Sequence, residues 1–201
     1  GINWRYSADQ MLHILRDSDT KVAFVQANCI EPLEGHLEEL ENEGSNLVGY
    51  RGDHPLSYDY DSLLREADGD PDLPALEDDD RAMYIYTSGT TGRPKGAQIT
   101  QRNLRESLIQ GALATGFNHE DVWLNVTPHA GVTCAYSLVG LMTGMTTVLP
   151  AGDFDPRQFL KICEKHDVTT SVLVVTALRR IIQEQRKKEY DLSSFRLMAY
   201  G

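Results

Sequence analysis

Three glycines, four aliphatic hydroxyls and one lysine fall within the eleven residues Tyr86-Thr-Ser-Gly-Thr-Thr-Gly-Arg-Pro-Lys-Gly96, directly after the apolar run Met83–Tyr86. Such a loop offers many backbone N–H groups, several rotatable hydroxyls and the point charge of Lys95 to a single anion. That is the chemistry of holding the phosphates of a nucleotide. The spacing excludes two common phosphate loops. A Walker loop requires Gly-Lys-Ser/Thr opening into a helix, but here Lys95 follows Pro94 and precedes Gly96. Gly89, Gly92 and Gly96 lie three and four residues apart, which breaks the kinase glycine pattern. Pro94 has no N–H and disfavours a helical Arg93, so the loop is expected not to run straight into a helix.

The elements around the loop alternate. Ser7–Asp17 carries Ala8, Met11, Leu12 and Leu15 at helical spacing behind a candidate Ser7 N-cap. Strand Lys21–Gln26, a helix near Pro32–Asn42, strand Leu47–Tyr50 and a short helix near Tyr60–Glu66 follow. Strand Ala82–Tyr86 leads into the phosphate loop, and the short extended segment Ala97–Ile99 follows it. Thr100 is placed to cap a helix through Leu113, with Leu104, Leu108 and Ala112 on one face. Beyond it lie strand Val122–Val126, a helix around Val132–Leu141, strand Thr146–Leu149 and helix Pro156–His166 with Asp155 as N-cap. Strand Ser171–Val175, helix Ala177–Glu189 and strand Leu197–Tyr200 complete the series. This alternation predicts an α/β fold: a doubly wound, mainly parallel sheet with helices on both faces. Ligands of such sheets gather outside the carboxyl ends of strands, where the loop begins.

Composition narrows the classes. The chain has 201 residues, enough for one large domain or two small ones, with 41% hydrophobic and 24% charged residues, as in ordinary globular proteins. Residues 1–80 carry 20 of the 30 acidic side chains but 5 of the 19 basic ones, and the net charge is −11. A balance this acidic argues against a nucleic-acid partner. No apolar run approaches the length of a membrane span, so no integral membrane segment is expected. Cys29, Cys134 and Cys163 are odd in number and form no Cys-x-x-Cys, which reads as reduced thiols in a cytoplasmic protein. The acidic tract 68–80 lacks the spacing and closing Glu of a calcium loop, and Gly69, Pro71 and Pro74 make it a connecting loop.

At Tyr86–Gly96 the sequence resembles the adenylate-forming, or AMP-binding, enzymes, a family of acyl-CoA synthetases, peptide-synthetase adenylation domains and firefly luciferase. Their signature is Tyr/Phe-Thr-Ser-Gly-Thr/Ser-Thr-Gly-x-Pro-Lys-Gly, and every specified position is matched here. Turn composition alone does not readily produce so many specified positions in a row. The resemblance implies that Thr87, Ser88, Gly89, Thr90, Thr91, Gly92, Lys95 and Gly96 hold the phosphates of ATP, with Lys95 stabilising charge and Thr87 a candidate Mg²⁺ ligand. A carboxylate would attack the α-phosphate, giving an acyl-adenylate and pyrophosphate, and coenzyme A would then accept the acyl group. The attacking carboxylate is already ionised at neutral pH, so adenylation needs no general base.

The resemblance extends to both ends of the chain. Asn3–Ser18 is similar to the segment preceding the loop in acyl-CoA synthetases, and Asp191–Gly201 resembles the approach to their adenine-binding turn, with Tyr200 and Gly201 at its start. The family's later Thr-Glu motif, ribose-binding Asp, hinge and C-terminal domain with its lysine are missing. Residues 1–201 are therefore expected to be a partial N-terminal, AMP-binding domain, separated from the remainder of its own chain and inactive in isolation.

Near the family's acyl pocket the sequence reads Val126-Thr-Pro-His-Ala-Gly-Val-Thr133, with compressed spacing. His129 is the candidate for gating the carboxylate site, the alternative being a partly buried loop histidine. Amino-acid-activating domains place an Asp near this point to meet the substrate ammonium, and none lies in Val126–Tyr136. The favoured reading is an acyl-CoA synthetase acting on a fatty or aryl acid. A peptide-synthetase adenylation domain and a non-catalytic nucleotide-binding module remain as alternatives. The basic run Arg179–Lys188 is read as a helix anchored by Ile181 and Ile182, and Cys134, Leu138 and Leu141 as a core-facing stripe.

Overall fold

The computed structural model describes residues 1–69, 71–87, 93–127 and 132–201. They form two compact units, Gly1–Gln101 and Arg102–Gly201.

In the first unit, helix α1 (Ala8–Asp17) starts at a reciprocal cap. Ser7 Oγ accepts the Gln10 N–H at 3.3 Å, and Gln10 Oε1 accepts the Ser7 N–H at 3.1 Å. Its buried stripe is Met11, Leu12, Ile14 and Leu15. Strands β1 (Val22–Gln26), β2 (Asn46–Tyr50) and β3 (Tyr58–Asp59) form a parallel sheet in that order. Between β1 and β2 run two 3₁₀ turns, Ala27–Cys29 and Glu31–His36, and helix α2 (Leu37–Asn42). Met11, Leu12 and Leu15 pack with Ile30, Leu33, Leu40, Leu47 and Leu56 as one core. Helix α3 (Tyr60–Glu66) is capped by Asp59, which accepts the Ser62 N–H at 2.9 Å. A second sheet is the antiparallel pair β4 (Arg81–Thr87) and β5 (Lys95–Thr100).

Helix α4 (Gln101–Thr115) leads into the second unit, whose sheet has the order β7-β6-β8-β9, all parallel. Its strands are β6 (Val122–Leu124), β7 (Thr146–Val148), β8 (Thr170–Leu173) and β9 (Leu197–Tyr200). Helices α5 (Val132–Thr143), α6 (Pro156–His166) and α7 (Val175–Gln185) connect them. Successive strand residues point to opposite faces, and Trp123 and Leu124 use this to serve two cores. Leu124 joins Phe159, Leu160 and Cys163 of α6 and Ala177 and Ile181 of α7. Trp123 joins Val139 of α5, Phe117 and Met145, with Leu108 and Ala112 of α4 against them. Helices therefore cover both faces of this sheet, as the alternation predicts for a doubly wound fold.

Two expectations about helix faces need correction. Leu141 is 79% exposed, and α5 instead buries Val139 and Gly140 among its described residues, with half-buried Tyr136 against the same core. An almost wholly apolar helix has no polar face from which to read its rotation. Likewise Ile181 is buried in α7 but Ile182 is 44% exposed. The buried positions Ala177, Ile181 and Glu184 follow the spacing i, i+4, i+7, which leaves Ile182 off the stripe.

Candidate functional site

Strands β4 and β5 flank the segment expected to hold phosphates. Their last pair sets Thr87 opposite Lys95, and the next sets Tyr86 opposite Gly96. The loop thus leaves from Thr87 and returns through Pro94 straight into a strand, as the proline requires. Ser88, Gly89, Thr90, Thr91 and Gly92, all proposed phosphate contacts, lie outside the described residues, as does His129. Thr87, Lys95 and Gly96 are described, and their backbones are brought together at the loop end of one hairpin.

Gly96 has a packing role of its own. A Cβ there would lie 2.9 Å from Cζ of Tyr86, closer than such atoms come, so a larger residue would force the ring to shift from its place across the neighbouring strand. The Tyr86 hydroxyl donates to Asp17 Oδ2 of α1 at 2.6 Å. Burial, reinforced by the Asp17 carboxylate, pushes this phenol up to about 12, which keeps it a donor at neutral pH. One helical turn earlier, His13 Nε2–H donates to the Pro94 carbonyl at 3.0 Å. Neither His13 nor Asp17 stood out in the sequence, where their only signal is polarity at i, i+4 on the helix face away from the core. A hollow of about 460 Å³ beside the hairpin is lined by His13, Asp17, Tyr84, Arg93, Lys95 and Gln98. Lys95 and Arg93 are the cationic residues of its lining.

For Mg²⁺, Thr87 offers one neutral hydroxyl, and no group of three or more His, Cys, Asp or Glu able to hold a metal occurs among the described residues. This donor set fits an ion carried mainly by phosphate oxygens and water, the usual habit of Mg²⁺.

In the second unit the remaining candidates lie at the carboxyl edge of the parallel sheet. Tyr200 pairs with Leu173, its side chain exposed, and Gly201 N–H donates to the Leu173 carbonyl at 3.2 Å. At the end of β6, Asn125 Oδ1 accepts the Thr127 N–H at 3.0 Å and its hydroxyl at 2.9 Å. Thr127 Oγ1 also lies 3.0 Å from Thr133 Oγ1. These two threonines bracket the segment containing His129, and the sequence reading passed over both. Leu149 and Val174, which follow β7 and β8, are exposed on the same edge. The edge thus combines hydrogen-bonding groups with apolar surface, where parallel α/β sheets take ligands.

Comparison with known proteins agrees with this geometry. The chain is 28% identical over its whole length to indoleacetate–CoA ligase of Aromatoleum aromaticum and covers 39% of that protein. It is 35% identical over its whole length to feruloyl-CoA synthase of an Amycolatopsis species and covers 38% of it. Its fold matches a long-chain-fatty-acid–CoA ligase from Archaeoglobus fulgidus with a TM-score of 0.83 at 27% identity, covering all of this chain and 40% of that one. The chain spans about two-fifths of the length of these relatives. The family model for AMP-binding enzymes matches residues 1–201, and the chain belongs to that family.

Proposed function

We propose that the chain is the phosphate-binding part of an ATP-dependent acid–thiol ligase. The observation that carries the reading is the hairpin that sets Thr87 against Lys95 at the two roots of the matched loop. In the proposed reaction a substrate carboxylate attacks the α-phosphate of ATP. The bond from that phosphorus to the bridging oxygen breaks, and pyrophosphate leaves. A thiolate of coenzyme A then attacks the acyl carbon and displaces AMP.

The chain's own groups act mainly on the leaving group. Pyrophosphate accumulates negative charge as it departs, and fixed donors and cations lower that barrier most when they need not reorganise. Lys95 supplies the cation, and Thr87, Ser88, Gly89, Thr90, Thr91, Gly92 and Gly96 supply hydroxyl and backbone donors. Mg²⁺, held by phosphate oxygens with Thr87 as a candidate protein ligand, would neutralise charge on the same group. Tyr200 and Gly201 are proposed to begin the adenine site, and His129 to gate the carboxylate site.

For the acid, the reading is a fatty or aryl carboxylic acid. It is supported by the lack of an acidic residue in Val126–Tyr136 to meet a substrate ammonium. The relatives described above, whose names refer to indoleacetate, ferulate and long-chain fatty acids, are consistent with it. A cytoplasmic setting fits the free thiols of Cys29, Cys134 and Cys163. No helix among the described residues is long and apolar enough to cross a membrane.

The test is acid-dependent exchange of pyrophosphate into ATP by the full-length protein, over a panel of fatty, aryl and amino acids, followed by thioester formation with coenzyme A. Exchange with a fatty or aryl acid and a coenzyme A thioester is expected. Exchange restricted to amino acids, or exchange without transfer to coenzyme A, would favour the adenylation-domain reading. No exchange with any acid would refute ligase function.

A further inference from the structure

We propose that His13 and Asp17 are positioning residues for the phosphate loop, gripping its two roots from one turn of α1. The inference rests on the ligase reading above. Tyr86 immediately precedes Thr87 on the outgoing strand, and its hydroxyl is held by Asp17 at 2.6 Å. Pro94 immediately precedes Lys95 on the returning strand, and its carbonyl is held by the His13 Nε2–H at 3.0 Å. The two helix residues are four apart, so they stand one above the other on the same face. A single rigid turn therefore contacts the residue before each root of the loop.

The consequence follows from peptide geometry. The Pro94 carbonyl and the Lys95 N–H belong to one planar group and point in opposite directions. Fixing the carbonyl on His13 therefore fixes where the Lys95 N–H points, and restrains the start of its side chain. Fixing Tyr86 on Asp17 does the same for the strand that delivers Thr87, while the ring in turn locks over Gly96. Helix α1 can serve as the fixed end of this brace because its opposite face is bound into the core through Met11, Leu12 and Leu15, and its first turn is closed by the Ser7–Gln10 cap. A glycine-rich sequence loses more conformational freedom than others when a ligand orders it. Holding its roots beforehand reduces that loss, which is the general benefit of preorganisation.

A brace of this kind predicts a defect specific to ATP. Asp17→Ala, Tyr86→Phe and His13→Ala in the full-length protein are each expected to raise KM for ATP about 5-fold, the scale of one partly exposed hydrogen bond. KM for the acid should stay within about 2-fold of wild type, since only the phosphate loop is loosened. Asp17→Asn and His13→Gln, which keep an acceptor and a donor respectively, should recover most of the loss. The double variant Asp17→Ala with Tyr86→Phe should be no worse than either single, because both remove one bond.

The readout is acid-dependent pyrophosphate exchange at varied ATP, with thermal unfolding measured on the same preparations. If His13→Ala or Asp17→Ala does not fold, Tyr86→Phe, which removes the bond to Asp17 from the other side, carries the test, with Asp17→Asn as the variant expected to stay near wild type. Wild-type exchange with unchanged KM for ATP in His13→Ala, Asp17→Ala and Tyr86→Phe overturns the brace and leaves the ligase reading standing. So does a loss of folded protein with both KM values unmoved, which would make these contacts purely structural. Absence of exchange in the wild type would instead remove the ligase reading and this inference with it.

Discussion

Replacing Asp121 by alanine removes the acceptor on which the start of three elements converges. Asp121 lies just before β6 with its side chain 3% exposed. It accepts from Arg196 Nε at 2.7 Å, from the Thr169 hydroxyl at 2.7 Å and from the Asn118 N–H at 3.0 Å. The Arg196 guanidinium, bonded to both carboxylate oxygens, is the largest cause holding Asp121 down at about 2 against an ordinary 3.8, and it outweighs the opposing effect of burial. By linkage that depression is worth about 2 kcal/mol at neutral pH. Alanine also removes the nearest acceptor of the Thr169 hydroxyl and the carboxylate partner of the guanidinium, which keeps the Thr115 and Gly116 carbonyls. Breaking a buried pair costs about 3–5 kcal/mol, but Arg196 is 38% exposed and can regain water. The lower end applies, about 3 kcal/mol, or a fall in Tm of about 6–12 °C for a chain of this size. Urea unfolding at pH 7 measures it directly. A carboxylate with a depressed pKa stabilises above its unfolded pKa and loses that contribution as pH falls through the folded one. The gap between wild type and Asp121→Asn should therefore narrow between about pH 4 and pH 2. A cost below about 1 kcal/mol for Asp121→Ala at pH 7, or a gap that does not narrow in acid, would refute the reasoning.

Three smaller expectations accompany it. Gly96→Ala should push the Tyr86 ring off its contact and cost about 1–3 kcal/mol by overpacking; Tm unchanged from wild type would show that the ring moves freely. Leu160→Ala, at a site with no exposed surface, should cost about 2–5 kcal/mol in urea unfolding, and a value near zero would mean that the core between α6 and β6 collapses around the cavity. Cys163 is 1% exposed, and burial pushes its thiol up to about 12. It should resist thiol reagents until denaturant is added, whereas rapid labelling in the native protein would show local opening.

Much of this architecture was legible where local signals are strong. Asp155 followed by Pro156 fixed the start of α6, and the cap forms as expected, with Asp155 Oδ1 accepting the Gln158 N–H at 2.7 Å. The bounds of α3 and β9 also agree with the sequence expectation. The two-residue strand β3 was not legible, since a run that short carries no alternation. Nor did the sequence disclose that Ala97–Ile99 belongs to a strand that folds back antiparallel on β4; that pairing depends on the loop between them. The rotation of α5 was misjudged because nearly every side of it is apolar. The phosphate loop announced itself through residue types at fixed spacing. Its supports did not: Asp17 and Tyr86 lie 69 residues apart, His13 and Pro94 81 apart, and Asp121 and Arg196 75 apart. No local pattern links residues at such distances, and only folding brings them together.

The central claim is that this hairpin carries Lys95 to the phosphates of ATP for acid activation. Pyrophosphate exchange by full-length Lys95→Ala, driven by the best acid of the panel and normalised to folded protein, tests it most directly. Removing one preorganised charge from a developing polyanion should lower kcat/KM for ATP about 10²- to 10³-fold, with Tm unchanged because the lysine side chain lines an open hollow. Exchange at the wild-type rate in this variant would contradict the account.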